Sequence, residues 1–140
     1  MTHLGTIELA WPVNALSPNA RPHWSDLAKA KKFARMDAWL LCRAAKIPAQ
    51  RADASLHLRF TFHPKVKRAR DLDNLLASMK AAIDGIRDAL GVDDSRFSFA
   101  MCMGPVVRGG KVVVDIIAMK RADETRRVPP PDHPVLGYPG

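Results

Sequence analysis

The stretch from Arg70 to Phe97, RDLDNLLASMKAAIDGIRDALGVDDSRF, decides how the rest of the chain is read. Leu75, Leu76, Met79, Ile83, Ile86 and Leu90 recur at helical spacing behind an Asp that makes a good N-cap, so the pattern predicts one helix over about residues 73–90. The same stretch holds six of the chain's 14 acidic residues: Asp71, Asp73, Asp84, Asp88, Asp93 and Asp94. The segment directly before it, Pro64 to Arg70 (PKVKRAR), carries four cations, Lys65, Lys67, Arg68 and Arg70, and no acid. Positive charge hands over abruptly to carboxylates.

Strands flank this helix. On the N-terminal side, residues 54–62 alternate, with Leu56, Leu58, Phe60 and Phe62 on one face, as a half-buried strand requires. On the C-terminal side Phe97, Phe99, Met101 and Met103 alternate with smaller residues. Lys111 to Met119 (KVVVDIIAM) is nearly continuous β-branched sequence, and Arg108-Gly109-Gly110 between the two predicts a hairpin. Further upstream, a second helix is expected from Ser25, as N-cap, through Leu27, Ala30, Ala34, Ala38, Leu41 and Ala45, ending before Pro48. Lys29, Lys31, Lys32 and Arg35 decorate its first half, as a solvated face or as a second surface for phosphates. Residues 5–11 (GTIELAW) read as a first strand, and VNALSPNARPHW after Pro12 as a polar loop. There Asn14, Asn19, Arg21, His23 and Trp24 either touch a nucleic acid or form a plain connection with Trp24 tucked into the core. The expected fold is α+β, a small mixed β-sheet packed with two main helices in a single domain over residues 1–119. The remaining 120–140, with five of the chain's 11 prolines, is expected to be an extended or disordered basic tail.

The formal net charge is +8. Without residues 120–140 the chain still has 18 basic residues against 11 acidic, and without 71–94 as well it has 16 against five. A cationic body around an acidic island favours a polyanionic partner. Cys42 and Cys102 sit in apolar neighbourhoods without CxxC spacing, which suits free buried thiols in a reducing compartment and a cytoplasmic protein. No charged leader with an apolar core opens the chain, and no apolar run reaches about 18 residues, so neither secretion nor a membrane is expected.

Asp71 and Asp73 point to the same side of an extended backbone but splay by about 200° on a helix. They cooperate only if the helix starts at or after them. One Asp as a cap and one favouring the helix dipole is the plain explanation. Two convergent carboxylates are also what Mg²⁺ needs, since it takes one or two carboxylates and completes its octahedron with water and phosphate oxygens. A metal so held can activate water and stabilise a leaving oxygen, which is nuclease chemistry.

Asp71-Leu72-Asp73-Asn74-Leu75, followed by Lys80-Ala81-Ala82-Ile83-Asp84 and by Asp93-Asp94, resembles the RusA family of Holliday junction resolvases. That family has DxDN, a lysine on the following helix, an apolar-Asp pair and a DD before the next strand. Ala10-Trp11-Pro12 with Asn14, the basic PKVKRAR, and Gly109-Gly110 before a closing strand are also similar to it, over residues 5–119. The resemblance implies a small dimeric endonuclease that cuts four-way DNA junctions with Mg²⁺, its ligands matched by Asp71, Asp73 and Asp94. Lys80 matches the catalytic lysine with a shift, since the family's slot is Ala77 here. On one ideal helix Asp73, Lys80 and Asp84 share a stripe. Asn74 would support phosphate or ligand geometry, and Lys65, Lys67, Arg68 and Arg70 would grip the DNA backbone. A helix over 73–90 is about 25 Å long, while the four residues from Leu90 to Asp94 return about 13 Å. Either the helix breaks early, at Gly85, or Asp94 serves the site of a two-fold partner; the second is expected, in a homodimer with two equivalent sites. The alternative from another class is a nucleic-acid-binding module without catalysis, whose acids are caps and solvated charges.

Overall fold

Alternation over residues 55–63 puts Leu56, Leu58, Phe60 and Phe62 on one side of strand β2 (Ser55–His63), and all four are fully buried. A computed structural model describes residues 1–119 of the chain; the expectation for the tail, 120–140, falls outside them. Strand β4 (Lys111–Met119) runs antiparallel to β2 on one side, and β3 (Phe97–Met103) runs parallel to it on the other. Strand β1 (Thr2–Leu9) pairs antiparallel with the far side of β4, giving the order β1-β4-β2-β3. The sheet is mixed and the fold α+β.

The hairpin expected at Gly109-Gly110 does not form between β3 and β4, because β2 lies between them. After β3 the Gly104 N–H bonds the Phe62 carbonyl at 2.9 Å and the Val107 N–H bonds that of Pro64 at 3.0 Å. The chain thus crosses the end of β2 and enters the sheet on its other side. Both glycines do turn the chain, at φ 79° and 73°. The partner choice follows from burial: Val112, Val114 and Ile116 are fully buried, which a strand flanked on both edges by neighbours can satisfy.

Helix α1 (Trp24–Ala44) starts one residue before the expected cap, since the His23 Nδ1 accepts from the Ser25 N–H at 3.2 Å. Trp24 is exposed rather than tucked into the core. The expected single helix over 73–90 is two: α2 (Leu72–Ala77) and α3 (Lys80–Leu90). Both the backbone N–H and the hydroxyl of buried Ser78 donate to the Asn74 carbonyl, at 3.1 and 2.9 Å. The Met79 N–H then bonds the carbonyl of Leu76, one residue closer than helix pairing demands. A serine bonding back four residues, followed by one tight turn, is a known cause of bending. The apolar stripe runs on across the break through Met79, which is why periodicity alone reads it as continuous.

Gly85, the alternative place for a break, is instead where α1 comes closest to α3: a Cβ there would lie 2.1 Å from the Arg35 carbonyl oxygen. Beside it the Arg35 guanidinium grips Asp88 through two bonds of 2.6 and 3.0 Å, and this holds the Asp88 carboxyl below its ordinary value. Ala38 and Cys42 of α1, Ile83, Ile86 and Leu90 of α3 and the inward residues of the sheet form one core cluster. Burial pushes the Cys42 thiol up to about 11. Cys102, expected to be buried, is exposed: it pairs with Thr61, on the face of the sheet opposite the buried Phe60 and Phe62. Among the described residues no helix is long and apolar enough to cross a membrane.

Candidate functional site

Helix α2 begins at Leu72, between the two aspartates, and this separates them. Asp71 is its N-cap: the carboxylate Oδ1 accepts from the N–H of Asp73 at 2.9 Å and of Asn74 at 3.4 Å. Asp73 is already inside the helix. The steps 71, 74, 78 and 73, 76, 80 then follow two different sides. One side, with Asp71, Asn74 and Ser78, lines a cleft shared with Arg68 and Arg70. The other, with Asp73, Leu76 and Lys80, lines a depression shared with Asp94 and Phe99. Asp71 and Asp73 thus line different hollows, because the extended backbone that their convergence called for does not persist through residue 73.

Asp94, expected to reach only a partner's site, lies instead beside Lys80 of its own chain. Lys80 Nζ bonds Asp84 Oδ1 at 2.8 Å and Asp94 Oδ2 at 2.5 Å. Those two carboxylates, Asp84 first, raise the lysine above its ordinary value. The break explains the difference. Counted from Lys80, the eleven residues of α3 rise only about 16 Å, and the return from Leu90, turned by Gly91 at φ 74°, covers about 13 Å of it. Asp93 caps the short 3₁₀ turn Asp94–Arg96 ahead of β3 by accepting from the Ser95 N–H at 3.1 Å. Bonds from Ser95 keep the Asp93 carboxyl below its ordinary value. Together the cap and the glycine aim Asp94 back along α3.

The cations divide as well. Lys65, Lys67 and Arg68 are exposed on the segment between β2 and α2. Arg70 is not: its Cζ sits 5.1 Å from the ring centroid of Trp11, and its Nε is buried without a hydrogen-bond partner among the described residues. Burial, and then the charge of Arg68, lower its guanidinium from the ordinary value. On the far side of Lys80, Lys31, Lys32 and Arg35 of α1 share a depression with Lys80 and Asp84, so α1's basic half borders the acidic site. Among the described residues no three His, Cys, Asp or Glu side chains form a ready metal-binding group. Asp73 and Asp94 are two carboxylates lining one depression, and a hydrated Mg²⁺ takes one or two carboxylates. Sequence reasoning missed Trp11 as the support of Arg70 and Ser78 as the origin of the break. The first left no local signal; the second left a serine on an apolar stripe.

No family model matches the chain. An uncharacterized protein of Xylella fastidiosa (strain Temecula1 / ATCC 700964) is 40% identical to it over 117 residues, covering 79% of this chain and 74% of that protein. The two belong to one family. The match is long enough to take in most of the sheet and helices, so the relative is expected to share the fold.

Proposed function

We propose that this protein is a Mg²⁺-dependent endonuclease that cuts branched DNA, four-way junctions in particular, and that it acts in the cytoplasm as a homodimer. The observation that carries this is the depression where Asp73, Lys80 and Asp94 meet within one chain, next to a second depression in which Lys80 and Asp84 face Lys31, Lys32 and Arg35 of α1. The similarity of the DxDN, lysine and DD motifs to the RusA family supports the same reading. Asp73 and Asp94 would hold the metal, and Asp71 has its Oδ2 left over from the cap. When bound, Mg²⁺ would activate a water and stabilise the leaving oxygen. Lys80, steadied by Asp84, brings a positive charge to the same rim and can stabilise charge developing on the phosphate. Lys65, Lys67 and Arg68 would hold the strand's backbone, and Asn74 its position beside Asp71. A junction with two-fold symmetry is cut symmetrically by two equivalent sites, which a dimer supplies.

One observation favours a second reading, a nucleic-acid-binding module without catalysis. A cap accounts for Asp71, and the ion pairs of Lys80 account for Asp84 and Asp94. Incubation with a synthetic four-way junction and with linear duplex, with and without Mg²⁺, separates the two. Paired nicks confined to the junction, lost in Asp73→Asn and Asp94→Asn, support the enzyme. Junction binding with no nick at any metal concentration supports the module.

A further inference from the structure

The cleft on the Asp71 side of α2 is a built site in its own right. It has a volume of about 480 Å³, within the range of small-ligand sites, and it is walled by the loop of residues 11–19 on one side and residues 68–74 on the other. Its lining includes Arg70, whose guanidinium Cζ lies 5.1 Å from the centroid of the Trp11 ring, and that ring in turn meets Phe62 edge-on at 6.1 Å. Arg70 is thus a planar cation supported by an aromatic ring, with a buried Nε that has no partner and no carboxylate shifting it among the described residues. Arg68 adds a second cation at the wall. Asp71 is the one carboxylate there, with Oδ1 engaged by the backbone of α2. The amides of Asn14, Asn19 and Asn74 complete the lining. The loop carrying the first two is tied by backbone bonds from Leu16 to Val13 (3.0 Å), Ser17 to Asn14 (2.9 Å) and Ala20 to Ser17 (3.1 Å).

We infer that this cleft takes an unpaired nucleotide of a DNA strand: Arg70 and Arg68 meet its phosphate, the supported guanidinium plane offers its base a stacking surface, and Asn14 and Asn19 meet the base edge. Amides pair with base edges and planar cations stack on bases, and both are available only when the base has left the helix. A nucleotide inside a duplex keeps its edge paired and both faces covered, so it cannot enter a concave site. This deepens the endonuclease reading and rests on it for the biological substrate: a cleft for an unpaired nucleotide next to Asp71 makes branch points, where pairing is interrupted, preferred over continuous duplex.

The test is binding by the full chain in EDTA, followed by fluorescence anisotropy. The probes are a labelled oligothymidylate of about twelve nucleotides, within the usual footprint of such sites, and an abasic strand of equal length. The unmutated protein is expected to prefer oligothymidylate. Asn14→Ala and Asn19→Ala should weaken oligothymidylate and spare the abasic strand. Arg70→Gln should weaken both, by about tenfold, with a salt slope shallower by about 0.7, the amount one neutralised phosphate contributes on a single strand. Arg70→Lys should regain the abasic strand but not oligothymidylate. Thermal melts check that each variant folds, and the loop variants keep the test decisive if Arg70→Gln does not. Equal affinity of the unmutated protein for the two strands, or unchanged oligothymidylate binding by folded Asn14→Ala and Asn19→Ala, overturns the proposal. Because no cleavage is involved, failure here leaves junction nicking standing, and absence of nicking leaves the cleft standing.

Discussion

Arg70 and Lys80 stand on opposite sides of α2 and are held in opposite ways. Arg70 rests on an aromatic ring with no ion pair to an acid among the described residues, and burial lowers it from its ordinary value. Lys80 reaches into solvent between Asp84 and Asp94, and their carboxylates raise it. An unpaired, oriented cation is free to accept an outside anion. A cation already neutralised by two carboxylates is suited to acting locally, where charge changes during a reaction. On the proposed function, the contrast divides the site into a surface that would bind the strand and a surface that would act on it.

Exchanging the two effects is the strongest way to break that division. Lys80→Met should slow single-turnover nicking of a four-way junction by about 100-fold or more, as loss of a charge-stabilising group does, with a far smaller change in binding measured in EDTA. Arg70→Gln should do the reverse. If both variants lose binding and rate in proportion, the two sides are one surface.

Next in size is damage to the frame that holds both sides. Gly85→Ala sets a Cβ against the Arg35 carbonyl, and overpacking of this kind costs about 1–3 kcal/mol. A denaturant melt with an unchanged slope and a lower midpoint is the expected result.

Ser78→Ala removes the hydroxyl that bonds the Asn74 carbonyl and should cost about 1 kcal/mol. It also removes one cause of the break, so nicking should fall more than stability predicts if the bend is what brings Asp73 and Asp94 to one depression. Nicking that simply tracks stability would show that the bend has another origin.

The smallest effect is the stability carried by the Lys80 pairs. Its side chain is 60% exposed, so solvent screens the pairs and they are worth only about 0.2–1 kcal/mol. Because the folded state raises this lysine, the contribution is whole below the unfolded value of about 10.4 and is lost as pH rises through the higher folded value. The difference in Tm between the unmutated protein and Lys80→Met should therefore hold from neutral pH to about 10.4 and close above it. It should also shrink with added salt.

Local pattern made much of this readable. Alternation over residues 54–62 marked β2 to within a residue, and the apolar stripe from Leu75 to Leu90 marked the helical region. The charge handover at Arg70 was legible as well, because composition survives any choice of tertiary neighbours. Neighbours were what pattern could not supply. Gly109-Gly110 announced a turn, yet the strand beyond it joined β2 rather than β3. The DxD spacing announced two carboxylates, yet the start of α2 at Leu72 sent them to different sides.

The sequence by itself determined the α+β class, the extent of β2, the basic-to-acidic boundary and the presence of Asp73, Lys80 and Asp94 as candidates. Those follow from spacing, and spacing is a property of the chain alone. Tertiary structure decided that Asp94 returns to Lys80 in the same chain and that Trp11, two residues past the first strand, supports Arg70. Both depend on where a buried serine bends one helix and on which strand lies in the middle of the sheet. These are outcomes of packing between segments far apart in sequence.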